Sequence, residues 1–170
     1  MIYLQYIFLT LVSLPLTLIA LLLAPLLPFL ADKDGWLPDW LWWLQTPDNS
    51  IAGDPSFQAI NGVGYLAQVK WLLRNPAYAF GVQYITGDAV TSISGDPTIK
   101  DNDGAKEGWC FVKVGDLFQF TYVKQIFSTQ RCLYVNFGWN IRGYVDPNVT
   151  NPLTYEATFV FSPRISGFRP

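Results

Sequence analysis

The sequence predicts an α+β protein with one N-terminal transmembrane helix, short interfacial and amphipathic helices, and a C-terminal antiparallel β-sheet of about four strands. Three observations support this prediction. The chain opens on a long run without charge, four tryptophans follow within eight residues, and the last part alternates apolar with polar residues. The chain is accordingly divided into four predicted segments. These are a transmembrane anchor at residues 1–31, a tryptophan-rich interfacial segment at 32–54, a helix and loop region at 55–106 and the antiparallel sheet at 107–170.

The opening run from Ile2 to Ala31 contains no Asp, Glu, Lys or Arg. An α-helix rises about 1.5 Å per residue, so about 20 residues cross a hydrocarbon layer roughly 30 Å thick. A cleaved secretory signal would show a positively charged start, a shorter apolar core and small residues before the cleavage site. This run starts with only an α-amino charge and carries the bulky Phe29 near its end, so it predicts an uncleaved anchor.

Three prolines interrupt the run. Pro15 is expected to kink a continuous helix. Pro25 and Pro28 are expected to end that helix between residues 23 and 27. The competing arrangement is a re-entrant hairpin that turns at Pro15, but its arms of about 13 residues are too short to cross a bilayer. One kinked helix is therefore the prediction.

The segment after the run is rich in tryptophan. Indole rings favour the headgroup level of a bilayer, because an apolar body and a polar N–H are both satisfied there. Four apolar residues recur at helical spacing in this segment: Leu37, Trp40, Leu41 and Leu44. We expect a short helix in the plane of the membrane interface, although a helix packed under the soluble domain fits the same pattern. The residues predicted at the interface are Trp36, Trp40, Trp42 and Trp43.

Residues 57–75 show a weaker helical pattern. Leu66, Val69 and Leu73 fall on one side of the predicted helix. Asn75, followed by proline, is a stop signal. We therefore expect one amphipathic helix here, with that side facing inward.

The charged residues of this middle region have modest predicted roles. Lys70 and Arg74 suit the negative C-terminal end of the helix dipole, with lipid phosphates as the alternative partners. Residues 81–108 are predicted to form loops, because Gly, Asp, Asn and Pro cluster there. Asp101 and Asp103 partly resemble a calcium-binding loop, but an isoleucine stands where that loop needs another ligand. A solvated turn is the expectation.

Two hairpins organise residues 107–170. Gly115-Asp116 is typical of a two-residue hairpin loop, and residues 127–130 form a second, weaker turn signal. These loops fix a register that places eight large apolar residues on one face, which a slip of one residue would scatter. We predict this face as the sheet core. Its members are Trp109, Phe111, Phe118, Phe120, Tyr122, Val135, Phe137 and Trp139. The predicted pairs are Trp109 with Tyr122, Phe111 with Phe120, Phe120 with Phe137, Tyr122 with Val135, and Phe118 with Trp139.

A fourth strand is predicted from Tyr155 to Phe161, and the middle helix is the candidate cover of the apolar face. In the same register Cys110 and Cys132 share the opposite face but lie two strands and several residues apart. A disulfide needs Cα atoms within about 7 Å, so both cysteines are predicted to be free thiols.

Composition argues against several classes of function. The chain has no histidine, which removes the commonest general base and metal ligand. Its formal net charge of −2 provides no basic surface for nucleic acid. Asp101 and Asp103 would support metal-assisted hydrolysis only with a convergent third ligand, which the turn lacks. We therefore predict no catalytic residue, no metal, no cofactor, no nucleic-acid partner and no small-molecule substrate.

Several phrases of the sequence carry a resemblance. An apolar N-terminus precedes WLPDWLWWLQTPDNSIAGD at residues 36–54, LLRNPAYAF at 72–80 and NFGWNIRGY at 136–144. This layout resembles that of small uncharacterised membrane-anchored proteins encoded by tailed bacteriophages. The resemblance implies a phage genome and the bacterial inner membrane. It implies no activity, so no functional residue is carried over.

Together these observations favour a non-enzymatic accessory protein that spans the host inner membrane once. It would present its sheet domain to an unknown protein partner, either to modify the host envelope or to exclude a second phage. Lys33, Lys70 and Arg74 follow the anchor, which favours a cytoplasmic C-terminal domain. A virion protein, structural or ejected with the genome, is the alternative. A holin fits less well, because holins are largely transmembrane segments with a charged tail.

Overall fold

The structure, a computed structural model, describes residues 1–87, 89–99, 104, 106–145 and 154–168. It has the predicted α+β class, with an apolar helix at the N-terminus and antiparallel sheet towards the C-terminus. The chain divides into two compact units, Tyr3–Gly81 and Val82–Pro170, the second of which also includes Met1–Ile2.

The N-terminal unit is helical. Helix α1 runs from Ile2 to Leu23 and continues through Pro15, and it ends within the predicted interval. Two 3-10 helices follow it, and then two further α-helices. The 3-10 helices span Leu27–Phe29 and Asp39–Leu44, α2 spans Pro55–Asn61 and α3 spans Tyr65–Arg74.

The pattern over residues 57–75 predicts one helix, but the structure has two. Residues 62–64 separate α2 from α3, because two glycines in three residues do not sustain a helix. Asp54 starts α2 as its N-cap, since its carboxylate accepts a hydrogen bond of 2.8 Å from the Phe57 backbone N–H.

The inward face of α3 also differs from the prediction. Its buried residues are Ala67, Trp71 and Leu72. The predicted face, consisting of Leu66, Val69 and Leu73, is exposed or half-buried instead. The pattern was ambiguous because two apolar stripes run along this short helix, and the tryptophan offers the larger area for burial.

The C-terminal unit contains β-strands and one short 3-10 helix. The strands are β1 (Gln83–Thr86), β2 (Thr91–Gly95), β3 (Gly108–Val114), β4 (Leu117–Gln125), β5 (Arg131–Trp139), β6 (Thr154–Ala157) and β7 (Phe159–Gly167). The 3-10 helix spans Arg142–Val145. The described residues form a five-stranded antiparallel sheet in the order β2-β3-β4-β5-β7 and a two-stranded sheet that pairs β1 with β6.

The predicted register of the two hairpins is confirmed. Gly115 takes the left-handed backbone conformation, with φ of 56°, that the first hairpin loop requires. Phe118 and Trp139 meet as predicted, with ring centroids 5.7 Å apart. The confirmed pairs are Trp109 with Tyr122, Phe111 with Phe120, Phe120 with Phe137, and Tyr122 with Val135.

Two predictions about the rest of the sheet were wrong. Residues 81–108 contain β1 and β2 rather than loops alone. The strand predicted from Tyr155 to Phe161 is divided at Thr158 between two sheets. Thr158 bonds to Asn140 instead, accepting hydrogen bonds from its backbone N–H at 2.8 Å and from its side-chain amide at 3.0 Å.

The five-stranded sheet buries its other face more deeply than the predicted one. Of the eight residues predicted as core, Phe118 and Trp139 are buried, whereas Trp109 is 46% exposed. The remaining five are half-buried: Phe111, Phe120, Tyr122, Val135 and Phe137. The opposite face consists mostly of buried residues, including Cys110, Val112, Thr121, Val123 and Tyr134.

A hydrogen-bond network explains how Gln119 and Asn136 occupy the buried face. Gln119 is 1% exposed, and its side-chain amide donates to Asn136 at 3.1 Å and to Asn140 at 3.3 Å. Its side-chain oxygen accepts from the backbone N–H groups of Ile141 at 3.0 Å and Arg142 at 3.2 Å. Because these partners satisfy the amide, the sheet buries a glutamine without the usual penalty.

The cysteines lie where the register placed them. Cys110 pairs with Thr121, and Thr121 pairs with Asn136, which is four residues along β5 from Cys132. Both thiols are free and buried, as predicted. Burial raises the pKa of each thiol, so both are protonated at neutral pH and are poor nucleophiles.

Candidate membrane-contact surface

Helix α1 exposes apolar side chains along one face, and the residues of its opposite face are half-buried or buried. Ala20 is the one residue of this fully described helix that is buried. Leu4, Leu14 and Leu22 are exposed near its start, middle and end. Among the described residues, α1 is the one helix that is long and apolar enough to span a membrane. A signal sequence meets the same criterion of length and composition.

The hydroxyl groups of α1 include two that are satisfied within the helix. Thr10 donates its hydroxyl proton to the Tyr6 carbonyl at 2.9 Å. Ser13 donates to the Thr10 carbonyl, also at 2.9 Å. These polar groups therefore need no partner from the surroundings, which suits a helix in an apolar medium.

The C-terminal end of α1 is packed into the N-terminal unit. Ala20 and Ala24 lie one turn apart, and their small side chains let other residues approach the helix closely. α1 is therefore held by a hydrophobic core and not only by a flexible linker. The buried residues of this core are Ala20, Ala24, Leu27, Leu37, Leu41, Leu44, Ile51, Leu72 and Ala77.

The tryptophans predicted at the membrane interface fall into two pairs. Trp40 is 71% exposed and Trp36 is also exposed. Trp42 and Trp43 are half-buried, and Trp43 packs against the core that holds α1. Two of the four indole rings are thus exposed on the surface of the N-terminal unit, and the other two are partly covered by it.

Gln45 holds the tryptophan segment in place. It is buried, and its side-chain oxygen accepts a hydrogen bond of 3.0 Å from the Leu37 backbone N–H. Its backbone carbonyl accepts another of 3.0 Å from Ala79. These two hydrogen bonds tie the residue after the 3-10 helix Asp39–Leu44 to Leu37, which precedes that helix, and to Ala79 later in the chain. No pattern in the sequence predicts this role of Gln45.

The aromatic face of the five-stranded sheet is a second apolar surface. Trp109, Leu133 and Ile165 are exposed there. Phe137 and Phe161 stack nearly parallel, with ring centroids 5.2 Å apart. Stacked aromatic side chains at a surface are typical of protein interfaces.

An open groove of about 560 Å³ lies beside the hairpin between β4 and β5. Lys124 donates to a Glu107 carboxylate oxygen at 3.0 Å in this groove. Hydrogen bonds from Lys124 and from the Gln125 backbone lower the pKa of Glu107. This ion pair links β4 to the residue that precedes β3. The groove is lined by Glu107, Lys124, Gln125, Ile126, Phe127, Ser128 and Leu133.

The described residues hold no group of three or more His, Cys, Asp or Glu placed to bind a metal ion. Asp101 and Asp103, the carboxylates considered for calcium binding and for metal-assisted hydrolysis, lie outside those residues. The predictions about these two residues therefore remain predictions.

Comparison with known proteins places the chain in a family without assigning it an activity. No curated protein and no solved structure matches it. The model of a family of unknown function, DUF7338, matches residues 1–165. Because that match spans α1 and nearly all of both units, the chain belongs to the DUF7338 family.

Proposed function

We propose that this protein is a non-enzymatic accessory protein of a tailed bacteriophage, anchored by α1 in the inner membrane of the host. It presents its sheet unit to a protein partner at that membrane, and it modifies the host envelope or excludes a second phage. The observation that carries the proposal is α1 itself, an uncharged helix of 22 residues with a single buried residue.

The energetics of α1 support lipid as its surroundings. Leucine occurs nine times in this helix. Each leucine near the centre of a membrane helix favours insertion by about 0.3 to 0.6 kcal/mol, and no charged residue opposes insertion. The same side chains exposed to water would form an apolar patch far larger than soluble monomers carry.

The sheet unit supports the protein partner. Trp109, Phe161 and Ile165 are exposed together with the half-buried aromatic residues of the same face. Partner surfaces are enriched in such aromatic anchors. We therefore assign the aromatic face of the five-stranded sheet to the protein partner.

The distribution of charge supports the orientation. All basic side chains lie on the C-terminal side of α1, beginning with Lys33. Basic residues near a membrane helix favour the cytoplasmic side, so the sheet unit is assigned to the cytoplasm.

Fractionation of cells that express the full chain with a C-terminal tag tests the anchoring. We expect the protein in the membrane fraction after an alkaline carbonate wash, with an intact mass that includes residues 1–31. Protease added from the periplasmic side should leave the tag intact. A soluble protein, or one shortened by removal of α1, would contradict the proposal.

Phage challenge tests the role itself. Host cells that express the chain should be plated with the encoding phage and with unrelated phages. We expect plating efficiency or envelope permeability to change, and the change to vanish in Trp109→Ala/Phe161→Ala. Ser92→Ala, on the exposed strand β2, is the control and should act like the wild type. An unchanged host would contradict the accessory role.

Mass spectrometry of purified virions separates the alternative. The proposal predicts that the chain is absent from particles, whereas a structural or ejected protein would be present. Membrane potential in expressing cells should be preserved, and its collapse would favour a holin.

A further inference from the structure

The corner between α2 and α3 exposes large apolar side chains. Ile60 is 84% exposed, Val63 is 60% exposed and Leu66 is 71% exposed. All three lie within seven residues of the chain. A cluster of this kind on a soluble surface marks an interaction site.

Packing on the inner side of the corner keeps these residues outside. Phe57 of α2 meets Trp71 of α3 edge to face, with ring centroids 4.9 Å apart. Phe57, Ala67 and Trp71 form a buried cluster of their own. Since these residues occupy the inner faces of both helices, Ile60 and Leu66 have no inward position available.

The exposed corner is continuous with the end of α1. The Tyr65 hydroxyl donates to the Pro25 carbonyl at 3.0 Å. The rings of Tyr65 and Phe29 lie 5.3 Å apart. Leu26 and Phe29 are themselves exposed. The apolar surface therefore extends from the helix end across to the start of α3 without leaving the N-terminal unit.

The charge of the corner complements an anionic surface. Residues 55–75 contain Lys70 and Arg74 but no Asp or Glu. Both side chains are exposed, and the Arg74 guanidinium lies 5.8 Å from the centre of the Trp71 ring. Basic side chains beside an exposed apolar surface are typical of segments that lie on anionic lipid headgroups.

We infer that the α2–α3 corner is a second membrane-binding element, which lies in the headgroup region of the bilayer that α1 enters. This inference rests on the proposed anchoring. Ile60, Val63 and Leu66 enter the boundary between headgroups and acyl chains, and Lys70 and Arg74 bind lipid phosphates. The N-terminal unit is then held against the membrane and does not swing from its anchor.

Fluorescence of labelled full-length protein in liposomes tests the inference. An environment-sensitive dye is attached to the variant Leu66→Cys. The wild type is the labelling control, because its two native cysteines are buried and should not react with the dye. Thr129→Cys, at an exposed turn of the sheet unit, is the water-accessible control. The liposomes contain phosphatidylcholine with or without phosphatidylglycerol. We expect iodide to quench the dye at position 66 several-fold less than at position 129, and spin-labelled lipid to quench it several-fold more.

Lys70→Gln/Arg74→Gln in the labelled protein tests the charge. We expect the protection from iodide to increase with phosphatidylglycerol in the parent and to lose that dependence in the double variant. Equal iodide quenching at positions 66 and 129, in protein that floats with the liposomes, would overturn this inference and leave the anchoring intact. Protein that fails to float with liposomes would overturn both.

Discussion

The two units both expose apolar side chains, but they differ in whether the backbone beside those side chains forms its own hydrogen bonds. In α1 of the N-terminal unit, most backbone groups pair within the helix, although Pro15 donates no N–H, and the exposed apolar side chains line one face. The sheet unit also exposes apolar residues, but among the described residues β2 and β7 are the outer strands of the five-stranded sheet. Backbone groups on the outer side of such a strand need hydrogen-bond partners that hydrocarbon does not provide. Exposed apolar side chains therefore suit the interior of a bilayer best on a segment that forms its own backbone hydrogen bonds, as most of α1 does.

The largest expected effect follows from charging α1. Leu11→Arg/Leu14→Arg places two charges at exposed positions near the middle of the helix. Each arginine costs about 2.5 to 3.5 kcal/mol at the centre of a membrane helix, so we expect most of the protein to leave the membrane fraction. Quantitative blotting of fractionated cells measures this.

Gln5→Arg is the matched control, since residue 5 lies near the end of α1, where a long side chain reaches the interface. We expect it to stay in the membrane. Equal membrane fractions for the control and the double variant would mean that lipid does not surround the middle of α1.

A smaller effect should follow from removing the buried amide of the sheet unit. Gln119→Leu leaves the backbone N–H groups of Ile141 and Arg142 without their acceptor. An unsatisfied buried polar group costs about 1 to 3 kcal/mol, so we expect the free energy of unfolding to fall by roughly 2 to 4 kcal/mol. Urea unfolding of the full chain in mild detergent, followed by circular dichroism, measures the change.

The control for this prediction is Gln125→Leu at the C-terminal end of the same strand, β4. Gln125 donates to the Thr129 carbonyl at an exposed turn, where water replaces the lost partner. We expect a change below about 1 kcal/mol. Comparable losses in the two variants would show that the interior of the sheet unit does not depend on its polar network.

The turn between β4 and β5 offers a stabilising change. Phe127 has a φ of 44° and is 94% exposed, so its side chain gains little from burial while its backbone is in the left-handed region. That region costs an ordinary L-residue about 1 to 2 kcal/mol, and asparagine tolerates it better. We expect Phe127→Asn to raise the free energy of unfolding by roughly 0.5 to 1 kcal/mol. Phe127→Ala keeps the backbone cost and should leave stability nearly unchanged; an asparagine variant no more stable than alanine would refute the argument.

The smallest effect concerns pH. Hydrogen bonds from Lys106 and Thr98 hold the pKa of Asp96 well below its usual value. Because the folded-state pKa is the lower one, this carboxylate adds stability above the unfolded-state pKa, near 4, and loses it as the pH falls through the folded-state pKa. The group is exposed, so we expect a slight acid destabilisation that weakens in salt.

Unfolding measured at neutral and at acid pH checks this contribution. Asp96→Asn should remove that part of the pH dependence. Glu107→Gln should remove a separate part, since the pKa of Glu107 is also lowered. An unchanged pH profile in both variants would show that neither ion pair contributes to folding.

Much of the fold was readable from local signals. Gly115-Asp116 fixed one hairpin, and the second loop extended the register across three strands. The absence of charge before Asp32 marked α1. These predictions succeeded because a turn type and a helix length are set by residues that are near in sequence.

The predictions that failed depend on contacts distant in sequence. The alternation of residues in β4 separates two faces of the sheet but does not determine which face is buried. Gln119 lies on the buried face, and a polar residue at that position favours the opposite prediction. Its partners at positions 140–142 are far along the chain. Strand β2 has no buried residue and therefore no apolar alternation to detect. Leu66 is exposed because Trp71 takes the buried side of α3, and the spacing of apolar residues does not determine which of the two sides is buried.

The lipid environment of α1 is tested most directly by a spin label at Leu14→Cys in full-length protein reconstituted into liposomes. The paramagnetic reagents are oxygen, which concentrates in the bilayer, and a water-soluble nickel chelate. We predict high collision rates with oxygen and almost none with nickel, with the reverse at Thr129→Cys. A label at position 14 that meets nickel freely, or one that meets neither reagent because protein surrounds it, would contradict the membrane anchor.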